Sequence, residues 1–153
     1  MKKFLCDYMC SELGRWLRTA GHDTIIANGS FDDREIFQIA VREHRILITR
    51  DKHFKEMDPE GKTIVYLQDE SLDEWARQLK EREGSDWLYR PFSRCLKCNC
   101  LLEKTEPSSE VPPLIREKVS DFWFCANCRQ MFWQGSHTER MLERLKEWQK
   151  DLY

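Results

Sequence analysis

Apolar residues in the first half of the chain fall into two alternating spacings. Residues 4–6, 23–27, 46–49 and 63–67 are short, nearly continuous apolar runs rich in Ile, Val and Phe. Such runs predict strands buried on both faces. Between them the spacing turns helical. Met9, Leu13, Trp16, Leu17 and Ala20 predict an amphipathic helix over residues 9–20, stopped by Gly21, with Arg15 and Arg18 off its apolar stripe. Ile36, Phe37 and Ala40 give the buried face of a second helix, opened by Asp32 as N-cap with Glu35 three residues on. Leu72, Trp75, Ala76 and Leu79 mark a third, halted by Gly84. Strands joined through helices predict a parallel sheet.

From about Asp86 the pattern changes. Residues 87–94 are aromatic and basic, the composition of a linker that packs on both of its neighbours. Two Cys-x-x-Cys pairs follow, separated by an insert containing Pro107, Pro112 and Pro113. Beyond Gly135 and Ser136, the residues Met141, Leu145, Trp148 and Leu152 share one face of a terminal helix. The expected architecture is an α/β domain over residues 1–90, with a small parallel sheet and helices on its faces. A zinc ribbon with a C-terminal helix is expected over residues 91–153.

At 153 residues, 41% apolar and 34% charged, the chain has the composition of a globular protein. No apolar run reaches membrane-spanning length and no secretory signal is visible, so a cytoplasmic location and no membrane partner are expected. Residues 1–90 carry 15 basic and 18 acidic side chains, and residues 91–153 carry 10 and 9. Neither half has a bulk attraction for nucleic acid, so any such binding needs a local basic patch or a metal.

Cysteine usage is more decisive. Five of the seven cysteines fall between Cys95 and Cys128. An odd number with no secretory signal argues for metal rather than disulfides. Cys95, Cys98, Cys125 and Cys128 have the spacing of a structural zinc site, each pair biting the metal from one tight turn. Ligation would supply folding energy to a segment with little core. Cys100 is expected to be a packed thiol, and His137 to contact substrate or cap the terminal helix.

Carboxylates mark the carboxyl ends of the apolar runs: Asp7 after the first, Asp51 after Thr49 and Arg50, and Asp69 after the fourth. Parallel strands would gather them on one edge, where open α/β sheets bind ligands. Asp33 enters from a helix N-terminus. Clustered carboxylates repel unless a cation is present, so the pattern points to Mg²⁺ or Mn²⁺ on Asp7, Asp33 and Asp51, with Asp69 as a fourth catalytic candidate. Cys6 and Cys10 are expected in the core.

The opening Phe4-Leu5-Cys6-Asp7-Tyr8-Met9, then Leu13-Gly14-Arg15-Trp16-Leu17-Arg18 and Gly21-His22-Asp23, resembles the start of the PIN-like family called the Mut-seven C-terminal RNase domain. Asp33-Arg34-Glu35-Ile36, Ile46-Leu47-Ile48-Thr49-Arg50-Asp51, the paired knuckles and Phe132-Trp133-Gln134-Gly135-Ser136-His137 are similar to its later motifs. The resemblance implies a PIN-like nuclease fold with a fused zinc ribbon and places the family's acidic positions on Asp7, Asp33 and Asp51. Cys6 and Cys10 depart from the apolar residues more usual there, which would make the site sensitive to oxidation or soft metals.

The expected function is a metal-dependent ribonuclease. Arg15, Arg18, Arg50 and His137 would contact substrate, and the ribbon would meet RNA or a protein or ribosome partner. Trp123, Phe132 and Trp133 are candidates for stacking, with at least two of the three expected to bury against the zinc core. The alternative is a non-catalytic RNA- or ribosome-binding adaptor on a degenerate PIN-like fold. Three intact acidic positions favour the enzyme, since a pure binder gains nothing from negative charge facing a phosphate backbone.

Overall fold

A computed structural model describes residues 2–68 and 70–150. Four parallel strands form the first sheet: β1 (Lys3–Cys6), β2 (Asp23–Ile26), β3 (Ile46–Thr49) and β4 (Ile64–Tyr66). Their order is β2-β1-β3-β4. The chain steps from β1 outward to β2, then crosses back over β1 to β3. The order therefore reverses between β1 and β3, and that reversal opens a crevice at the carboxyl edge.

The strands are apolar throughout because both faces are covered. Phe4, Cys6, Ile48 and Val65 face one core with Leu13 and Leu17 of α1 (Ser11–Thr19) and Trp75, Ala76 and Leu79 of α3 (Leu72–Glu83). Leu5 and Leu47 face the other with Ile36 and Ala40 of α2 (Asp33–Arg42) and Phe54. Alternate residues of one strand thus serve opposite layers. Gly14 lets α1 lie close to the sheet, since a Cβ there would meet Ile26 Cγ1 at 2.7 Å. The capping box at α2 is formed: Glu35 N donates to Asp32 Oδ1 at 2.8 Å and Asp32 N to Glu35 Oε2 at 3.4 Å. Gly84 ends α3 in the left-handed region, at φ 64°.

The second sheet is antiparallel, ordered β5-β6-β7: β5 (Glu103–Thr105), β6 (Phe122–Cys125) and β7 (Gln130–Trp133). A short helix, α4 (Pro113–Lys118), lies in the insert. The terminal helix α5 (Ser136–Gln149) leaves the ribbon and returns to the first sheet's core, where Leu145 and Trp148 join the α1–α3 cluster. Trp148 meets the rings of Trp16 and Trp87, each at 5.0 Å, and its Nε1 donates to Asp73 at 2.7 Å.

The linker packs on both halves, as its composition predicts. Trp87 is fully buried, and Arg94 Nε donates to Gly21 O at 3.1 Å. Gly21 holds φ 97° against this segment, and a Cβ there would sit 2.4 Å from Arg90 O.

Several sequence expectations are corrected. The first helix starts at Ser11 after a 3-10 turn over Tyr8–Cys10, which leaves Met9 exposed. Between β3 and β4 a 3-10 helix that the apolar spacing does not predict spans Lys52–Met57 and buries Phe54. Leu152 and Asp69 lie outside the described residues. Among the described residues no helix is long and apolar enough to cross a membrane.

Candidate functional site

Asp7 and Thr49 stand side by side at the crevice, on the carboxyl ends of β1 and β3. Asp7 is buried, and its Oδ2 accepts from Thr49 Oγ1 at 2.9 Å. The same Thr49 oxygen accepts from Asp51 N at 3.0 Å. Asp51 in turn caps the following 3-10 helix, its Oδ1 accepting from His53 N at 2.9 Å. One hydroxyl therefore ties together the two carboxylate-bearing strand ends.

Asp33, in the first turn of α2, completes the group. Its carboxyl pKa is raised, first by partial burial and then by the negative charges of Asp51 and Asp7. The charges of Asp51 and Asp7 thus reach Asp33 across the crevice. His53 Nδ1 lies 3.8 Å from Asp33 Oδ2, so this residue touches Asp51 through its backbone and Asp33 through its ring. Sequence reasoning missed His53, although the Asp51-Lys52-His53 step is the signature of a side-chain-capped turn. It also missed Tyr8 and Phe31, large exposed rings beside Asp7 and close to Asp33 in the chain.

The donor set is all oxygen and short of positive charge, which fits a hard divalent ion such as Mg²⁺ or Mn²⁺. The carboxylates are more widely set than the cysteines. Among the described residues only Cys95, Cys98, Cys125 and Cys128 form a group of three or more whose ligand atoms all lie within 4.8 Å. An ion that keeps several of its waters suits the wider spacing.

The candidate cations differ in what they can reach. Arg50 follows Thr49; its guanidinium lies over the Trp75 ring at 5.1 Å, and its buried Nε has no hydrogen-bond partner among the described residues. Arg15 is exposed on α1. Arg18, expected at the surface, is buried instead: Nε donates to Thr24 O and Nη1 to Leu96 O, both at 2.9 Å. It fastens the ribbon to the sheet and is not available to a phosphate. His137 is exposed at the start of α5, in the ribbon half.

Cys6 and Cys10 are buried core thiols, as expected. Burial, then the charge of Asp7, pushes the Cys10 thiol up to about 12; burial followed by Cys10 also raises Cys6. Thiols held protonated are poor nucleophiles and ligands.

The four clustered cysteines sit on two matching turns. Asn99 N donates to Cys95 O at 2.9 Å and Arg129 N to Cys125 O at 2.7 Å, and both closing residues have positive φ, 76° and 56°. Facing thiols approach to 3.4 Å between Cys98 and Cys125 and 3.8 Å between Cys95 and Cys128. Four sulfurs converging from two knuckles fit a tetrahedral structural metal such as zinc. Cys100 is exposed rather than packed: the knuckle uses its backbone carbonyl, which accepts from Cys95 N at 2.8 Å.

A four-stranded parallel sheet with acidic strand ends, joined to a cysteine knuckle pair and a returning helix, defines an α/β protein with a second, antiparallel sheet. The chain belongs to the Mut7-C RNase domain family, whose model matches residues 2–145. That membership points to a nuclease-like function with RNA as substrate. Comparison with curated proteins and with solved structures returned no match.

Proposed function

We propose that the protein is a metal-dependent ribonuclease acting at Asp7, Asp33 and Asp51. What supports this is the grouping of the three carboxylates at the β1–β3 crevice, where Thr49 joins Asp7 to Asp51 and the charges of Asp51 and Asp7 add to the rise in the Asp33 pKa that partial burial begins. A cluster that disfavours its own charge gains from a divalent ion. When bound, such an ion supplies Lewis-acid stabilisation of phosphate charge and makes water a better nucleophile at neutral pH.

The chain's own residues prepare that chemistry. Thr49 holds Asp7 in one orientation through its hydroxyl and fixes the backbone of Asp51. Asp33 brings the third carboxylate from α2. Arg50 and Arg15 would hold phosphates beside the one being cut, without reading sequence. Water oxygen joins phosphorus as the bond from phosphorus to the leaving ribose oxygen breaks, and the leaving oxygen takes up a proton. The zinc-held ribbon contributes binding surface for RNA or a partner, and a cytoplasmic location suits an RNA substrate.

The test is cleavage of labelled RNA and single-stranded DNA in Mg²⁺ or Mn²⁺ by wild type and by Asp7→Asn and Asp51→Asn. Metal-dependent cutting by wild type is expected, with a loss of roughly a hundredfold or more in each variant, the scale seen when an electrostatic stabiliser is removed. Equal cutting by Asp51→Asn would sink the catalytic assignment. No cutting by any protein, with RNA binding retained, would favour the adaptor function.

A further inference from the structure

The ribbon half carries a half-open cavity of about 510 Å³ that the acidic site does not use. Its walls are mostly apolar, with Trp123, Phe132 and Trp133 from β6 and β7 and Met141 from α5. All three of those aromatics were candidates for stacking, with at least two expected to be buried against the metal core. Instead all three are only half-buried, so each keeps ring surface open to this space.

The polar groups of the cavity are one-sided. In a chain with 27 acidic residues, none lines it, and its ionisable groups are Arg94 and His137. Arg94 is held in place by its bonds to Gly21 O and Asn99 O and has no carboxylate partner among the described residues. A smaller cleft of about 230 Å³ shares Trp123 and Gln134 with the cavity and carries Lys118. The acidic residue there, Asp121, is already paired with Lys104 at 3.0 Å. Aromatic walls with Arg94 and His137 at the rim complement a molecule with flat apolar faces and an attached group that accepts hydrogen bonds and carries negative charge.

We infer that this cavity is a base-binding pocket that takes one unstacked nucleobase of a single-stranded RNA between its aromatic walls, with the adjoining phosphate at Arg94 and His137. Aromatic stacking of splayed-out bases is the usual means of holding single-stranded RNA, and a volume of this size is within the range of small-ligand sites. An apolar segment of a protein partner would fill the walls but leave Arg94 and His137 unused. The pocket presupposes the RNA substrate proposed above and adds to it a second contact, lined by none of the three carboxylates and independent of cutting. A duplex, whose bases are stacked, would not enter.

Binding is measured with full-length, zinc-loaded protein carrying Asp51→Asn, so that RNA stays whole. The probes are a fluorescent single-stranded RNA, the same strand with abasic sugars, and an apolar dye. The expected result is that Trp123→Leu and His137→Glu each weaken binding of the intact strand roughly tenfold, on the scale of one lost stacking partner. The abasic strand should bind the parent protein comparably weakly and lose little more in Trp123→Leu. RNA should displace the dye. Zinc content checks that Trp123→Leu has folded; His137 is exposed, so His137→Glu carries the test if it has not.

Unchanged affinity in His137→Glu together with equal binding of the abasic strand would overturn the pocket. So would a dye that stays bound while RNA saturates, which would indicate an apolar protein segment as occupant. Failure of wild type to cut RNA would sink the nuclease function and leave these binding numbers as they are. Equal binding by the variants would sink the pocket and leave cutting as it is.

Discussion

Thr49 does more at the crevice than any single carboxylate. Its hydroxyl donates to buried Asp7 and accepts from the Asp51 backbone, so Thr49→Val removes both bonds at nearly constant volume. Leaving a buried carboxylate oxygen without its donor should cost roughly 1–3 kcal/mol, read from urea unfolding. Mn²⁺ titration of the same variant should show weaker binding, with Thr49→Ser restoring most of it. Asp23 shows a different balance. Partial burial raises its pKa, but hydrogen bonds from Arg45 and Asn99 prevail and hold it below its ordinary 3.8. A carboxyl depressed in the folded state adds stability that is full above 3.8 and drains away as pH falls through the lower folded value. The gap in urea midpoint between wild type and Asp23→Asn should therefore be widest near neutrality and close in strong acid. A gap that does not change with pH would place the effect outside the ion pair.

At the scale of elements, the first cysteine knuckle works as a clasp on the free edge of β2. Asn99 Oδ1 accepts from Thr24 N at 2.9 Å, Asn99 Nδ2 donates to Asp23, and Arg18 reaches from α1 to Leu96 O. A metal that shapes residues 95–100 therefore also protects a strand of the other half. Chelating the zinc should speed hydrogen exchange at the Thr24 amide as well as in β6 and β7, while β3 stays protected. Slow exchange at Thr24 after chelation would show that the clasp holds without metal. None of this was legible in the sequence, because Arg18 and Leu96 are 78 positions apart and Thr24 and Asn99 are 75. An arginine off the apolar stripe reads as a surface residue until its distant carbonyl is known. What was legible is local: the strand over residues 46–49, the Asp32 cap, the Gly84 stop and the spacing of the four cysteines. The gathering of Asp7, Asp33 and Asp51 at one edge follows from strand order, which alternation alone could suggest. The Thr49 bridge and His53 needed geometry.

Across the whole molecule, the two halves share one core through α5. Trp148 lies between Trp16 of α1 and Trp87 of the linker, and Gln149 Oε1 accepts from Trp87 N at 2.8 Å. Trp148→Ala should cost roughly 3–5 kcal/mol, as buried aromatic truncations do, and should lower the unfolding midpoint of the sheet carrying the carboxylates. If only the ribbon signals in a spectroscopic melt were affected, α5 would belong to the ribbon alone.

The position of Trp148 also orders events during synthesis. The α1–α3 face of the first sheet stays open until residues near 148 have left the ribosome, however early β1 to β4 emerge. Contacts between the two ends of the chain form late and slowly. The core beneath β1 and β3 is therefore completed only after the cysteine knuckles have been translated, so the half made first waits for the half made last.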